Sequence, residues 1–384
     1  MSSVPLTNTH IHTNYSFGVF ATPAQAVDQA VTEGIQILGI NDHYTVAGRD
    51  EFREACRARG VTPMFSMEAV ALDPVALEKQ ERYNDINPGR VYLTAKAITR
   101  PLAENGFGVT AMRRMRRALT ARNAQLVENL NRHLAAIGET IRLSMDAIEA
   151  LTPAGNTTER HVVQALAEAI VRQGAKRAAE VVSKLCGAPP PDLDNPGALQ
   201  DFLRNKLVKA GGLDYAPENP EAYVSIPEMV TLFLELGSIP TYPVLGNPVT
   251  EIEGHIPNLI EYLGGFRIYA LEVIPNRNNR ERLLEIVSAA REARVPIFTG
   301  TEHNTKTPMP LVDKFSAGEP FRTAFFEGAL VGLGHQEAIA RGEMGYVRDD
   351  GNLRFEDRAK GQAYFREMGA EVFRQFHPRY SMSL

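Results

Sequence analysis

This sequence contains few cysteines, no long apolar run and no large excess of charge of one sign. Its two cysteines, Cys56 and Cys186, lie in segments with helical periodicity, which argues against a disulfide framework or a Cys-rich zinc site. We expect both to be buried thiols. No apolar stretch reaches the roughly 18 to 20 residues that a membrane span needs. The net charge of −5 argues against broad electrostatic binding of nucleic acid.

The composition is that of a globular protein of considerable size. Of the 384 residues, 44% are hydrophobic and 23% are charged, which suffices for one α/β barrel with an insertion or for two ordinary domains. Residues 1–8 are polar and lack the basic and apolar regions of a secretory signal. We therefore expect a soluble, cytoplasmic protein that does not associate with membranes.

Strand-like and helix-like runs alternate at the beginning of the chain. Strands are predicted at Leu6–His12, Ile35–Ile40 and Thr62–Glu68, with helices at Pro23–Glu33 and Arg49–Arg59 between them. This βαβαβ order indicates a parallel sheet with helical crossovers.

The periodicity becomes helical from Met112 to about Leu185, and a short helix is predicted at Ala198–Lys209. The βα alternation then resumes, with strands at Ile239–Leu245, Ile268–Val273 and Pro296–Gly300, and with helices at Glu228–Leu236, Ile256–Leu263, Arg280–Glu292 and Thr323–Arg341. The sequence thus predicts a discontinuous barrel of residues 1–100 and 225–384, interrupted by a mainly helical insertion of residues 101–224. The polar C-terminal tail receives no predicted structure.

Polar clusters follow the predicted strands, where the residues of a β/α barrel converge on one mouth. His10 and His12 project from the same face of an extended strand, so both imidazoles can bind one metal ion. Glu68 and Glu302 can complete a set of four ligands. Asp42 has three open interpretations: a metal ligand, the N-cap of the following helix, or a group that orients a ligand.

These clusters resemble the motifs of the PHP (polymerase and histidinol phosphatase) family. The matching segments are His10-Ile11-His12-Thr13, Asn41-Asp42-His43-Tyr44-Thr45-Val46-Ala47-Gly48, Ser66-Met67-Glu68 and Gly300-Thr301-Glu302-His303. The resemblance implies an α/β fold: a distorted (β/α)7 PHP-type barrel with a helical insertion domain. The layout is most similar to stand-alone phosphoesterases that act on nucleotide and oligonucleotide phosphates.

Several family ligands are replaced in this sequence. Phe17 stands where the family has Asp, Tyr92 and Asn247 appear where it has His, and Glu302 replaces an Asp. The resemblance therefore implies one divalent metal ion per chain, zinc, manganese or iron. Its implied ligands are His10, His12, Glu68 and Glu302.

The resemblance also suggests roles for other residues. Asp42, His43 and His303 are candidate catalytic residues, and the two histidines are also candidate further ligands. Arg160 and His161 would bind the phosphate group of a substrate. Tyr92, Lys96 and Asn247 would lie on the substrate side, with Tyr92 or Lys96 as acid or base.

Three functions remain open from the sequence. The first is metal-dependent hydrolysis of a phosphoester in a small phosphorylated metabolite or nucleotide. The second is a mononuclear metal enzyme acting on another substrate, as a lyase, decarboxylase, isomerase or other hydrolase. The third is a non-catalytic ligand-binding protein.

A basic helix raises the question of nucleic-acid binding. It contains Arg113, Arg114, Arg116, Arg117 and Arg122, without interleaved aromatic residues. We favour a solvated helix face, and thus a small-molecule substrate over a nucleic acid. The oligomeric state is not predicted.

Overall fold

The computed structural model describes residues 4–246 and 248–380. Its sheet has seven strands that follow one another in chain order, within these described residues. They are β1 Leu6–Ile11, β2 Ile35–His43, β3 Thr62–Leu72, β4 Arg90–Lys96, β5 Ile239–Val244, β6 Ala270–Val273 and β7 Ile297–Thr299. A bridge between Ile11 and Glu302 connects the first strand to the end of the last, so the sheet forms a nearly closed barrel. The predicted fold class is confirmed.

Thirteen α-helices surround or extend this sheet in the described part of the chain. They are α1 Pro23–Thr32, α2 Arg49–Arg59, α3 Pro74–Lys79, α4 Phe107–Ala136, α5 Met145–Glu149, α6 Glu159–Val171, α7 Ala175–Cys186, α8 Pro196–Leu203, α9 Ile226–Glu235, α10 Ile256–Gly265, α11 Arg280–Glu292, α12 Phe321–Ala340 and α13 Arg358–Phe376. Helix α2 has the predicted bounds because its ends carry clear signals. Asp50 and Glu51 lie in its first turn, Arg57 and Arg59 in its last turn, and Gly60 ends it in the left-handed conformation.

Strand β4 departs from the expected parallel sheet, since it is antiparallel to both β3 and β5. Strand β3 continues to Leu72, four residues beyond its predicted end, and the chain then reverses direction through α3. If β4 were parallel to β3, the chain would need a crossover connection back to the other end of the sheet. The parallel strands end at the mouth of the barrel, whereas the antiparallel strand β4 begins there. Its early residue Tyr92 therefore lies nearer the mouth than Lys96.

Helices α5 to α8 and the C-terminal half of α4 pack around a core of their own, whereas α9 and the beginning of α4 pack on the barrel core. Buried side chains of α4, α6, α7 and α8, including Leu130, Leu166 and Val182, form one apolar cluster. The predicted helix at Ala198–Lys209 is divided into α8 and a π-helical segment, Arg204–Val208. The proposed insertion boundaries, residues 101 and 224, remain a prediction.

The C-terminal segment contains the helix predicted at Thr323–Arg341, here α12, and a second helix, α13, in the tail for which no structure was predicted. Helices α12 and α13 pack against each other and cover the end of the barrel away from the strand C-termini, where Phe298, Leu330 and Phe365 share a core. The contact is close because glycines occupy it: a Cβ on Gly369 would lie 1.9 Å from the carbonyl oxygen of Leu330.

Two expectations about the chain as a whole can be compared with this fold. Cys56 and Cys186 are both buried and free, as predicted. Among the described residues, no helix combines the length and the apolar character needed to cross a membrane.

Candidate metal centre

His10 and His12 lie fully buried at the C-terminal end of β1. Their Nε2 atoms are 3.2 Å apart. An oxygen of Glu68, on β3, is 3.6 Å from Nε2 of His12 and 4.0 Å from Nε2 of His10. These three side chains direct their ligand atoms to one point and form a group that can hold a metal ion.

A chain of hydrogen bonds orients His12. Its Nδ1 is 3.2 Å from the hydroxyl of Ser16, which donates to Oδ1 of Asp42 at 2.6 Å. The backbone N–H and the hydroxyl of Thr13 also donate to Asp42, both at 2.7 Å. Ser16 is thereby left as an acceptor, so His12 carries its proton on Nδ1 and presents an Nε2 lone pair. Asp42 acts here as an orienting group behind His12, and its catalytic role remains a prediction.

Glu272 on β6 takes the corresponding place behind His10. One carboxylate oxygen is 3.0 Å from Nδ1 of His10, and the other is 2.5 Å from Nζ of Lys96. Lys96 also donates to the carbonyl of Thr9 at 2.8 Å. Burial opposes ionisation of Glu272, but its interactions with His10 and Lys96 hold its pKa at about 2. Lys96 is therefore engaged inside the barrel, although the sequence suggested a place beside the substrate.

The donor set fits a bound cation. Two imidazoles that both carry their protons on Nδ1 cannot hydrogen-bond through Nε2, so their close approach places two lone pairs face to face. Burial raises the pKa of Glu68 to about 7, which shows how costly its charge is without a positive partner. Histidine and carboxylate ligands suit zinc, manganese or iron, and they do not distinguish among these ions.

His43 and Tyr92 lie beside this group. The Nδ1 atom of His43 is 3.2 Å from Glu68, and its ring lies 4.3 Å from the ring of His12. The ring of Tyr92 is 6.5 Å from that of His43. No described residue hydrogen-bonds the Tyr92 hydroxyl, and burial raises the pKa of this phenol. His43 therefore lies beside the group of His10, His12 and Glu68, and the roles of His43 and Tyr92 in catalysis or substrate binding remain predictions.

Glu302 and His303 lie at the same mouth but have other contacts. Both adopt left-handed backbone conformations, with φ of 65° and 62°, a strain that often marks functional sites. The Glu302 carboxylate forms an ion pair with Arg277 and is not part of the group of His10, His12 and Glu68. The two ring nitrogens of His303 lie 2.9 Å from a threonine hydroxyl and 3.0 Å from a backbone carbonyl. Metal binding by Glu302 and catalysis by His303 remain predictions.

The insertion brings Arg160 and His161 to this mouth. The guanidinium of Arg160 lies 5.8 Å from the ring centroid of Phe17, the residue that replaces the family Asp. Burial, together with the nearby charge of Arg204, lowers the pKa of Arg160 to about 10. His161 accepts a hydrogen bond from the backbone of Thr158 as part of a capping box, so its Nδ1 is engaged in the helix end.

Other residues near the mouth were not found by sequence reasoning. They are Ser16 and Glu272 behind the histidines, and the cations Arg204, Arg277 and Lys306 around them. A Glu within the apolar strand β6 could have indicated Glu272 as a functional residue, whereas isolated basic residues in loops carry little information about function. Asn247, predicted on the substrate side, lies outside the described residues.

Comparisons with known proteins agree with this arrangement. Residues 8–179 match the family model of the PHP domain, a segment that includes His10, His12 and Glu68. The resemblance seen in the motifs is therefore confirmed over this segment of the chain. No curated protein matches the chain.

Two solved structures show a similar fold. One is a candidate metal-dependent phosphoesterase from Bifidobacterium adolescentis, with 19% identity, a TM-score of 0.56, and coverage of 83% of this chain and 96% of that protein. The other is an amidohydrolase from Chromobacterium violaceum, solved with bound sulfate and without metal, with 15% identity, a TM-score of 0.54, and coverage of 80% and 92%. At such identities the similarity establishes the fold alone.

Proposed function

We propose that this protein is a metal-dependent hydrolase that cleaves a phosphoester in a small phosphorylated metabolite or nucleotide. The observation that supports this most strongly is a buried group of two imidazoles and one carboxylate beneath a mouth containing several cations. Burial lowers the pKa of His43 to about 3, and the charges of Arg160 and Arg204 contribute to this shift. A neutral His43 imidazole can bind a metal ion, and the positive side chains above it can attract an anionic substrate.

In such a reaction, different residues of the chain would hold the metal ion, orient its ligands and bind the substrate. A divalent ion would polarise a phosphoryl oxygen and lower the pKa of a bound water. His10, His12 and Glu68 would hold the ion, and Glu272 and Ser16 would keep the two imidazoles in the correct tautomer. Arg160 would bind the anionic oxygens of the substrate, because a guanidinium matches their geometry with two hydrogen bonds.

The leaving group needs a proton, and we assign this role to Tyr92. Its hydroxyl makes no hydrogen bond to a described residue, and burial, together with the nearby charges of Asp85 and Glu68, raises the pKa of this phenol. A phenol that remains protonated over the physiological range can act as a general acid.

A second candidate is an enzyme with one metal ion that polarises a carbonyl group. Phe17 occupies the place of a family ligand and packs edge-on against His161, which favours one ion over the two that clamp a phosphoryl group. The amidohydrolase of similar fold gives this reading some support, since its name implies cleavage of a non-phosphate bond.

The test combines metal analysis with a substrate panel. Purified protein would be analysed for metal content and then assayed with phosphomonoesters, mononucleotides, short oligonucleotides and simple amides, each with zinc, manganese or iron added. We expect about one ion per chain and turnover of phosphomonoesters. Glu68→Gln should lose both the ion and the activity, whereas Glu78→Gln, the same change at an exposed position, should retain both.

The other results would each exclude a candidate. Turnover of amides without any turnover of phosphoesters would contradict phosphoester hydrolysis and support the enzyme that polarises a carbonyl group. A protein that binds no ion under any of these conditions would contradict both enzyme functions.

A further inference from the structure

The backbone of Glu302 is fixed beside the two candidate histidine ligands. Its N–H donates to the carbonyl of His10 at 3.0 Å, and its carbonyl accepts from the N–H of His12 at 2.7 Å. The side chain is only 9% exposed, yet its carboxylate lies outside the group of His10, His12 and Glu68. Among the described residues, Arg277 forms the ion pair of this carboxylate. Glu302 is thus a buried acid next to the metal centre, with a cation of the chain as its partner.

The two members of this ion pair differ in what their separation would cost. Glu302 is buried, so its charge needs a positive partner, and the amide of Asn304, which donates to it at 3.4 Å, carries no charge. The side chain of Arg277 is 37% exposed, at the turn that follows β6, so water can solvate its guanidinium. Replacement of Arg277 by another cation is therefore far less costly than loss of any partner from Glu302.

Both charges of the pair act on the metal centre. Burial above all raises the pKa of Glu68, and the charge of Glu302 adds to this rise, whereas the charge of Arg277 opposes it. Glu302 and Arg277 therefore lie within electrostatic range of a candidate ligand. A change of partner at Glu302 would take place at the centre itself.

We propose that Arg277 competes with the metal ion for Glu302: it pairs with this carboxylate in the metal-free protein, yields it on metal binding, and then binds the anionic group of the substrate. Glu302 changes partners by rotation of its side chain, because its backbone is held against β1. Arg277 thereby becomes a second guanidinium for the phosphoryl oxygens, in addition to Arg160. This last step rests on the proposed function, whereas the competition requires only that the centre binds a metal ion.

The first experiment measures metal affinity without catalysis. Zinc or manganese is titrated into the metal-free protein in competition with a chelating dye. Arg277→Gln should bind either ion about fivefold more tightly than the wild type, because the ion pair no longer competes. Arg277→Lys keeps a charge that can pair with Glu302, so its affinity should stay near that of the wild type. Arg280→Gln, the same change at a neighbouring exposed arginine, is the control and should have no effect.

A double variant separates competition for Glu302 from simple repulsion between Arg277 and the ion. Glu302→Gln should weaken metal binding, and the addition of Arg277→Gln to it should then change the affinity little. Equal tightening by Arg277→Gln in both backgrounds would assign the effect to repulsion and contradict the competition. Unchanged affinity in the single variant Arg277→Gln would also overturn it.

The second experiment measures hydrolysis of phosphomonoesters by the metal-saturated proteins. Arg277→Gln should raise the KM by about tenfold, because a charged hydrogen-bond donor to the substrate is lost, while kcat changes less. Tighter metal binding together with weaker substrate binding is a combination that a general structural defect would not produce. An unchanged KM would overturn the role of Arg277 in substrate binding.

The two experiments distinguish this inference from the proposed function. Tighter metal binding in Arg277→Gln that depends on Glu302, without hydrolysis of any phosphoester, would support the competition and contradict the proposed function. Hydrolysis of phosphoesters, with wild-type metal affinity in Arg277→Gln, would support the function and overturn the competition.

Discussion

Lys96 and Glu272 form an ion pair that is fully buried in the barrel, directly behind the metal ligand His10. Glu272→Gln would leave Lys96 as a buried charge without a partner, which typically costs about 3–5 kcal/mol of stability. It would also weaken the orientation of His10, and loss of such a partner lowers metal affinity by about 10- to 100-fold. Both effects can be measured, by urea unfolding and by competition with a chelator.

A double variant separates the two effects of Glu272. In Lys96→Met combined with Glu272→Gln the unpaired charge is gone, so much of the stability should return. His10 would still lack its carboxylate, so the metal affinity should stay low. Wild-type affinity in the double variant would contradict the orienting role of Glu272.

His335 in α12 predicts how stability depends on pH. Burial lowers the pKa of His335 to about 4, and the neutral ring donates to the carbonyl of Gly237 and accepts from the N–H of Tyr346. In the unfolded chain the imidazole gains its proton near pH 6.5, so the unfolded state binds more protons between about pH 6.5 and 4. The free energy of unfolding should therefore fall by an amount on the order of 3 kcal/mol as the pH is lowered from about 6.5 to 4.

The variant that checks this is His335→Gln, whose amide can keep one donor and one acceptor. Its unfolding free energy, measured by urea titration at several pH values, should fall less steeply below pH 6.5 than that of the wild type. At pH 8 the imidazole is neutral in both states, so a difference there reports packing alone. An unchanged slope below pH 6.5 would assign the pH dependence to other groups.

Residue-scale prediction from sequence succeeded where the residue type and the spacing carry the chemistry. His10 and His12 alternate at the end of one strand, and Glu68 lies in another strand near the same mouth, so their convergence followed from barrel geometry. Glu272, the partner of His10, was missed although a buried Glu in an apolar strand was a usable signal. Its pairing with Lys96 could not be predicted, because it depends on the antiparallel direction of β4. Pairing of Glu302 with Arg277 likewise depends on the path of a loop, which periodicity does not determine.

At the scale of elements, the contact between α12 and α13 depends on glycine. A Cβ on Gly369 would meet the carbonyl oxygen of Leu330 at 1.9 Å, and backbone atoms cannot rotate away as side chains can. Gly369→Ala should therefore separate the helices and destabilise the protein by about 1–3 kcal/mol, the usual cost of overpacking. Thermal unfolding would measure this.

Gly264 in α10 provides a matched control. The nearest atom to a Cβ there is 3.9 Å away, so alanine fits without a clash. Because alanine favours helix over glycine by about 1 kcal/mol, Gly264→Ala should be neutral or stabilising. Equal effects of the two substitutions would show that propensity, not the helix contact, governs the response at Gly369.

Elements with strong end signals were predicted within a few residues, and those that depend on tertiary contacts were not. Helix α2 has charged ends and a glycine cap that the sequence displays. Helix α13 has a mixed composition, and it is stabilised by burial of Phe365 and Phe373 against α12. The direction of β4 follows from how the chain turns after Leu72, which no local pattern encodes.

At the scale of the whole molecule, the barrel and the insertion have separate apolar cores. The barrel cores include Leu38 and Phe298, whereas the insertion core includes Leu166 and Val182. The two parts meet at the metal centre, where the amide of Asn156 donates to the carbonyl of His43. Sequence periodicity predicted a helical insertion, whose boundaries remain a prediction, but it could not show that this segment contacts a strand carrying a candidate ligand.

This organisation predicts where a metal ion stabilises the protein. His10 lies in β1, His12 directly follows it, and Glu68 lies in β3. An ion that they bind should therefore stabilise these strands by about 2.7 kcal/mol when free metal is 100-fold above the dissociation constant. Hydrogen exchange should then slow in β1 and β3 on metal addition. Helix α7 lies within the separate insertion core, so its exchange should change much less. Glu68→Gln should remove the effect on the strands, and equal protection of α7 and β1 in the wild type would show that the two parts unfold as one unit.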